Sequence, residues 1–447
     1  MKKKAHLKTY GCQMNDHDSE RMSSVLTRSG FEMTSDVDQA DLVVLNTCSV
    51  REKPENKVYS FLGTIRELKQ QNPEMIIGVG GCVAQQEGEA ILKRAKNVDM
   101  VFGPDQMFKL PEMISRVEQG ERVLETKWEE RSKKVVNFIP DEELERSRVE
   151  GSRAHIAIMK GCDNYCTFCV VPMTRGREVS RTAENILHEA RHLVDNGIQE
   201  IMLLGQNVNS YQAGDYGFYE LLKAVADIDG LKRLRFTSPH PNDWNNDLSD
   251  LMAGHPVICS QLHLPFQAGS DRILELMRRK HTIEQYLEKI DYLKSVDPLV
   301  EISTDIIAGF PTETDEDFEG TLDVIRHVKF DKIYAFMYST RPNTRAARME
   351  DDVPPKVKSD RLQQIIALHE SMIPGQLERY VGRTESVLIE NAHPKEKDVM
   401  CGRTQSFRPV NIHDGSLEIG EMIDVKITGF RAYSLDGERV SAAKVSA

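Results

Sequence analysis

The sequence predicts an α/β protein in three successive parts: a doubly wound α/β domain, a partial (β/α)6 barrel of TIM type, and a small all-β barrel of OB-like pattern. Three observations predict it. At 447 residues the chain exceeds the roughly 250 to 300 residues that one hydrophobic core usually serves. Short apolar runs alternate with helical stretches through most of its length, the pattern of parallel β/α units. After about residue 378 the alternation gives way to short strands separated by glycines and polar turns.

In the first part, residues 1–145, "HLKTY", "DLVVLN" and "MIIGVG" have the β-branched bias of strands buried on both faces, and a turn and a helical stretch follow each. From "GPDQMFKL" to "EELERSRVEGSR" charge is high and periodicity weak, so a helix and a linker are expected, with a boundary near 145. Residues 146–377 hold six strand-like runs: "HIAIMKG", "EIMLLGQNV", "LKRLRFTS", "CSQLHLPFQ", "LVEISTDIIAGFP" and "DKIYAFMYS". Helices such as "AENILHEARHLVDNG" and "TDEDFEGTLDVIRHV" lie between them. Such a series implies a parallel sheet curling toward a barrel, with its chemistry at the carboxyl ends of the strands. Residues 378–447 contribute "TESVLIEN", "DVMCGRT", "EMIDVKITGFRAY" and "ERVSAAKV".

Composition excludes several classes. No apolar run approaches the roughly 18 residues of a membrane helix, and "MKKKAHLKTYGC" lacks the apolar segment of a secretory signal, so a cytoplasmic protein without membrane attachment is expected. The formal net charge of -12 argues against binding nucleic acid through bulk charge but allows a local basic patch. Eight cysteines are too few for a disulfide scaffold at this length. Cys259 and Cys401 stand alone and read as small packed residues.

The other six form two trios. "MKGCDNYCTFCVVPMTRG" places Cys162, Cys166 and Cys169 in the spacing Cys-x3-Cys-x2-Cys, on the loop after the first barrel strand. Three thiolates so close can hold zinc or an iron-sulfur cluster. Structural zinc usually takes four protein ligands, and no second cysteine knuckle follows; a cubane cluster on three thiolates keeps one iron open to another ligand. Cys12, Cys48 and Cys82 are spaced by about one β/α unit, and each follows a predicted strand, so a parallel sheet brings all three to one edge. This trio also lacks a fourth cysteine.

With the aromatic Phe168 just before its last cysteine, the compact trio resembles the radical S-adenosylmethionine superfamily. The resemblance implies that Cys162, Cys166 and Cys169 ligate a 4Fe-4S cluster whose open iron chelates S-adenosylmethionine. It also implies contacts to that cofactor from Phe168, from Gln206 where the family commonly has Gly-Glu, and from Asp305 and Gly309 in "STDIIAGFPTET". Both trios on an α/β domain and a partial barrel, followed by a β domain, resemble the methylthiotransferases along nearly the whole chain. That likeness implies a second 4Fe-4S cluster on Cys12, Cys48 and Cys82 and, through "CGRTQSFRPVNI", an RNA-binding TRAM module.

"TYGCQMNDHDSERM" and "NTCSVREKPENKVYSFLG" are similar to the MiaB type, which modifies C2 of N6-isopentenyladenosine at position 37 of tRNA. The branch acting on a ribosomal protein typically has Pro-Lys-Asn after its first cysteine, and the threonylcarbamoyladenosine branch has Lys-Val-Asn. This chain has Gln13-Met14-Asn15. The resemblance further implies two uses of S-adenosylmethionine, one giving a methyl group to sulfur and one the radical. An electron donor such as flavodoxin or ferredoxin is implied as well; the sulfur donor is not. Candidate phosphate contacts are Arg175, Arg177, Arg181, the "RRKH" at 278–281, Arg403 and Arg408. A non-catalytic iron-sulfur protein for electron transfer or RNA binding is the alternative from another class.

Overall fold

The computed structural model describes residues 2–49, 52–128, 134–144 and 151–440, with the side chains of the helix Glu52–Thr64 described from residue 57 onward. The first domain carries a six-stranded parallel sheet in the spatial order Glu32–Met33, Lys4–Thr9, Leu42–Thr47, Ile76–Gly81, Met100–Phe102, Val123–Glu125. The two central strands are buried along their whole length. Alternate residues serve opposite cores, Val43 and Leu45 on one face, Leu42 and Val44 on the other. This is the doubly wound arrangement the apolar runs predict.

The chain runs outward from Lys4–Thr9 to Glu32–Met33 and then reverses to Leu42–Thr47. A topological switch point therefore lies between Lys4–Thr9 and Leu42–Thr47, the place where such sheets bind ligands. Cys12 and Cys48 follow these two strands. The stretch expected to be only a helix and a linker also contains the strand Val123–Glu125, after a helix at Leu110–Glu118. Three residues are too few to show an alternation. The expected boundary near 145 falls on residues 145–150, outside the described ones.

All six barrel strands form where expected: Arg153–Ala157, Glu200–Leu204, Arg233–Phe236, Gln261–His263, Glu301–Ala308 and Lys332–Met337. They pair as two three-stranded parallel sheets rather than one, joined by a single bridge between Leu234 and Ile258. The helix Pro355–Glu378 packs against the last strand.

The third domain is a closed five-stranded barrel in the order Thr384–Ala392, Met400–Thr404, Pro409–Ile412, Leu435–Arg439, Met422–Phe430. Pro409–Ile412 is absent from the expectation, since it opens on a proline and is short. The last strand lies earlier than "ERVSAAKV" suggests, and residues 441–447 of that segment are outside the described range.

This small barrel docks at the amino ends of the strands of the central barrel. Arg233, which begins its strand, donates to the carbonyl oxygens of Arg403 at 2.9 Å and Ser386 at 2.7 Å. Arg408 pairs with Glu301, also the start of a strand, and with Asp331 at 2.6 Å. Cys162, Cys166 and Cys169 lie at the opposite, carboxyl ends.

Candidate active site

The compact trio sits on a loop that the backbone folds tightly. Gly161 has φ +79°, and a Cβ there would lie 2.1 Å from the Arg177 carbonyl oxygen. The Cys162 N–H donates to the Gly176 carbonyl at 3.2 Å, and the Cys169 N–H to that of Cys166 at 3.0 Å. A second segment braces the loop: the Thr167 N–H donates to Met277 O at 3.0 Å, and Arg279 donates to Pro265 O at 2.7 Å and Cys166 Sγ at 3.6 Å. Burial pushes the Cys162 thiol up to about 11 and the Cys169 thiol up to about 12. A metal centre that takes the place of those protons satisfies this donor set. Gly161→Ala is expected to cost at least about 2 kcal/mol and to lower iron uptake by the trio, read by denaturant midpoint and iron counting.

The distributed trio stands at the carboxyl ends of three neighbouring parallel strands, on the one sheet edge that the in-phase spacing predicts. Cys12 stands at the N-cap of the helix Gln13–Arg28, Cys48 follows its strand, and Cys82 opens the helix Cys82–Glu87. Side chains behind them tie the strand ends together. Asn15 Nδ2 donates to Asn46 Oδ1 and to Thr47 O, each at 3.0 Å, and Thr47 Oγ1 donates to Gly80 O at 2.6 Å. Gly81, at φ +91°, leaves no room for a side chain, since a Cβ would lie 2.4 Å from Thr47 O. A hydrogen bond with Cys48, the positive charge of Arg175 and nearby backbone N–H groups bring the thiol of the exposed Cys12 down to about 6; burial pushes Cys82 up.

Among the described residues, no three Cys, His, Asp or Glu side chains gather closely enough to ligate one metal ion. A cubane cluster carries its thiolates on separate irons, so three cysteines at three strand ends suit it as a donor set.

A cavity of about 1040 Å³ connects the domains. Cys12 and Cys48 line it from the first domain, Gln206 and Asp305 from the central barrel, and Arg403 and Tyr433 from the small barrel.

Three family models match the chain in sequence: Uncharacterized protein family UPF0004 over residues 4–103, the Radical SAM superfamily over 156–325, and the TRAM domain over 378–440. A tRNA-2-methylthio-N(6)-dimethylallyladenosine synthase of Histophilus somni is 46% identical over 455 residues, covering 98% of this chain and 93% of the relative. One from Haemophilus influenzae (strain PittEE) is 45% identical over 449 residues, with the same coverage of 98% and 93%. The chain belongs to the tRNA-2-methylthio-N(6)-dimethylallyladenosine synthase family. Among solved structures, the radical S-adenosylmethionine methyltransferase TsrM from Kitasatospora setae aligns with a TM-score of 0.55 at 15% identity, covering 77% of each chain. That likeness is one of fold.

In this member of the synthase family the remaining sequence candidates fall in different places. The Gln206 side-chain oxygen accepts from the Gly161 N–H at 2.5 Å, which ties the cavity wall to the start of the cluster loop. Asp305 faces the cavity beside His263, whose Nε2 lies 3.5 Å from Asp305 Oδ2 and whose Nδ1 is 3.0 Å from Ser303 Oγ. Phe168 is partly buried against the Phe310 and Tyr338 cluster. Gly309 has φ +72°, its N–H donates to Glu313 at 2.7 Å, and a Cβ would meet Lys358 Cγ at 2.3 Å. Turn geometry and this close approach account for glycine at that position.

Several arginines expected at phosphates are instead committed inside the protein. Arg175 is buried against Asp18 and Cys82, Arg181 is fully buried against Glu189, and Arg408 is buried between Glu301 and Asp331. In "RRKH", Arg279 and His281 are buried, with the Arg279 guanidinium donating to Cys166 of the cluster loop. Each such charge has left water, so a carboxylate, carbonyl or sulfur partner replaces hydration. Arg177 stays 69% exposed, 3.4 Å from Asp163. Arg403 lines the cavity, paired with Glu390 at 3.1 Å and stacked 4.3 Å from the Phe407 ring centre. Sequence reasoning missed the role of Asn15 as a brace, although its signal was present in Gln13-Met14-Asn15.

Proposed function

We infer that this protein is a radical tRNA methylthiotransferase that places a methylthio group on C2 of N6-dimethylallyladenosine, also called N6-isopentenyladenosine, at position 37. It consumes two S-adenosylmethionine molecules and holds two 4Fe-4S clusters, one on each cysteine trio. The observation that supports this most is the single cavity reached by Cys12 and Cys48, by Gln206 beside the compact trio, and by the small barrel. When bound, the clusters supply an open iron and an electron for cleaving S-adenosylmethionine to a 5'-deoxyadenosyl radical, and a site for the sulfur.

A C2–H bond has no useful acidity, so a positioned acid or base does not suffice. The chain's own residues orient and enclose. Gln206 fixes the entry to the cluster loop, Arg279 steadies Cys166, and Leu204, Phe236 and Ile333 give the cavity apolar wall suited to a dimethylallyl chain. A flavodoxin or ferredoxin supplies the electron in a cytoplasmic setting; no helix among the described residues is long and apolar enough to cross a membrane. The decisive test is mass spectrometry of nucleosides from tRNA made with and without the protein. The 2-methylthio derivative of dimethylallyladenosine is expected only with it, and its presence in both samples would refute the assignment.

Arg403 is the proposed phosphate contact of the small barrel. Arg403→Ala is expected to weaken tRNA binding by about 3- to 10-fold and to reduce the salt slope by about one. This is a cleaner probe than deleting the domain after residue 378. Deletion would strip Glu301, Asp331 and Arg233 of the partners that bury them, and unpaired buried charges destabilise the central barrel as well.

A further inference from the structure

One side chain reaches from the loop of the compact trio to the distributed trio. Arg175 caps the short helix Val171–Thr174 that follows Cys169. The next residue, Gly176, accepts from the Cys162 N–H at 3.2 Å. From there the guanidinium crosses into the first domain. Its Nε donates to Cys82 Sγ at 3.3 Å, and its Nη2 lies 2.7 Å from Asp18 Oδ2. Asp18 belongs to the helix that Cys12 caps. The two side chains are only 7% and 4% exposed, so water screens neither contact.

Asp18 alone could balance the charge of Arg175. The contact with Cys82 is additional, and it aims a permanent cation at one sulfur of a trio that otherwise contains only thiols. We propose that Arg175 is a positioning residue that orients the Cys82 sulfur and raises the reduction potential of the iron-sulfur centre held by Cys12, Cys48 and Cys82. The inference rests on the reading of that trio as a cluster site.

Hydrogen bonds to the sulfurs of such a centre, and cationic charge near it, stabilise the reduced form. The reaction also needs an electron acceptor at this place. When a carbon radical meets a thiolate sulfur, the radical brings one electron and the sulfur a pair. The new carbon-sulfur bond keeps two, so one electron is left over, and an iron-sulfur centre held by Cys12, Cys48 and Cys82 would supply its acceptor. A cation held on Cys82 favours that transfer.

Cys166 has its own, longer contact from Arg279 at 3.6 Å, so the effect is best read with the compact trio removed. The experiment uses the full chain carrying Cys162→Ala, Cys166→Ala and Cys169→Ala, reconstituted anaerobically, with iron counting and a redox titration followed by electron paramagnetic resonance. Adding Arg175→Gln is expected to shift the midpoint potential of the remaining centre to a more negative value, and Arg175→Lys to recover part of the shift. A Gln variant with the parent's iron content and potential overturns the proposal, as does a Lys variant that matches Gln.

If Arg175→Gln fails to fold because Asp18 is left unpaired, Asp18→Asn with Arg175→Gln takes its place. The same negative shift is then required, and the parent's potential again overturns the proposal. A parent that takes up no iron at all overturns the reading of the trio, and the inference with it. A parent whose centre ignores Arg175 overturns the inference alone.

Discussion

Replacing Cys162, Cys166 and Cys169 together by alanine is expected to abolish reductive cleavage of S-adenosylmethionine and methylthiolation alike. Replacing Cys12, Cys48 and Cys82 is expected to abolish only the second. The asymmetry follows from where the residues sit. The compact trio is a self-contained loop, closed by the Cys162 to Gly176 and Cys169 to Cys166 hydrogen bonds and braced from Met277 and Arg279. None of those braces comes from the first domain. The distributed trio depends on three strand ends held in register by Asn15, Asn46 and Thr47. Each triple variant should keep about half of the iron that the parent binds after anaerobic reconstitution, since the two donor sets share no ligand. Loss of all iron from either variant, in protein that remains folded, would argue against two independent sites. Failure of the Cys12, Cys48 and Cys82 variant to produce 5'-deoxyadenosine would reverse the division of labour.

The compact trio was legible through its Cys-x3-Cys-x2-Cys spacing after a strand, and the distributed one because strand-then-loop periodicity places residues at sheet edges without any knowledge of side-chain contacts. Strands buried on both faces, such as Leu42–Thr47 and Ile76–Gly81, carry an unbroken apolar signal that no neighbour can disguise. Strands of two to four residues, such as Val123–Glu125 and Pro409–Ile412, have too few positions to carry one.

Charge was harder to read. The run "DHDSER" in the helix Gln13–Arg28 has the composition of a solvated face, yet His17, Asp18 and Arg21 are buried. The central barrel covers that face, and local periodicity contains nothing about what will dock there. Arg175 and Arg408 were misread for the same reason. Their carboxylate partners, Asp18 for one and Glu301 with Asp331 for the other, lie on domains remote in sequence. A basic residue near a reactive loop is therefore a poor guide to phosphate contacts unless it is also known to stay exposed, as Arg177 and Arg403 do in part.

The same docking face places Glu189 between the two domains that carry the trios. Glu189 belongs to the central barrel and is fully buried. It pairs with Arg21 of the first domain and, at 2.7 Å, with Arg181 of its own. Burial pushes its carboxyl up, but the two guanidinium groups outweigh that effect and hold it down at about 2. Glu189→Ala leaves two buried arginines without their carboxylate and is expected to cost about 3 to 5 kcal/mol, read as a lower denaturant midpoint.

The pH dependence has a definite sign. An unfolded glutamate titrates near 4.3, so the stabilisation is complete above that pH and is lost as pH falls from there through about 2. The gap between the parent and Glu189→Gln should therefore be full at neutral pH and close across that acid window. A gap that stays constant throughout would mean that the ion pairs do not carry the docking. In the milder Gln variant the domain contact loosens while the compact trio keeps its own braces. 5'-Deoxyadenosine should then continue to form while methylthiolated tRNA falls, and a parallel loss of both products would show that domain docking also supports the compact loop.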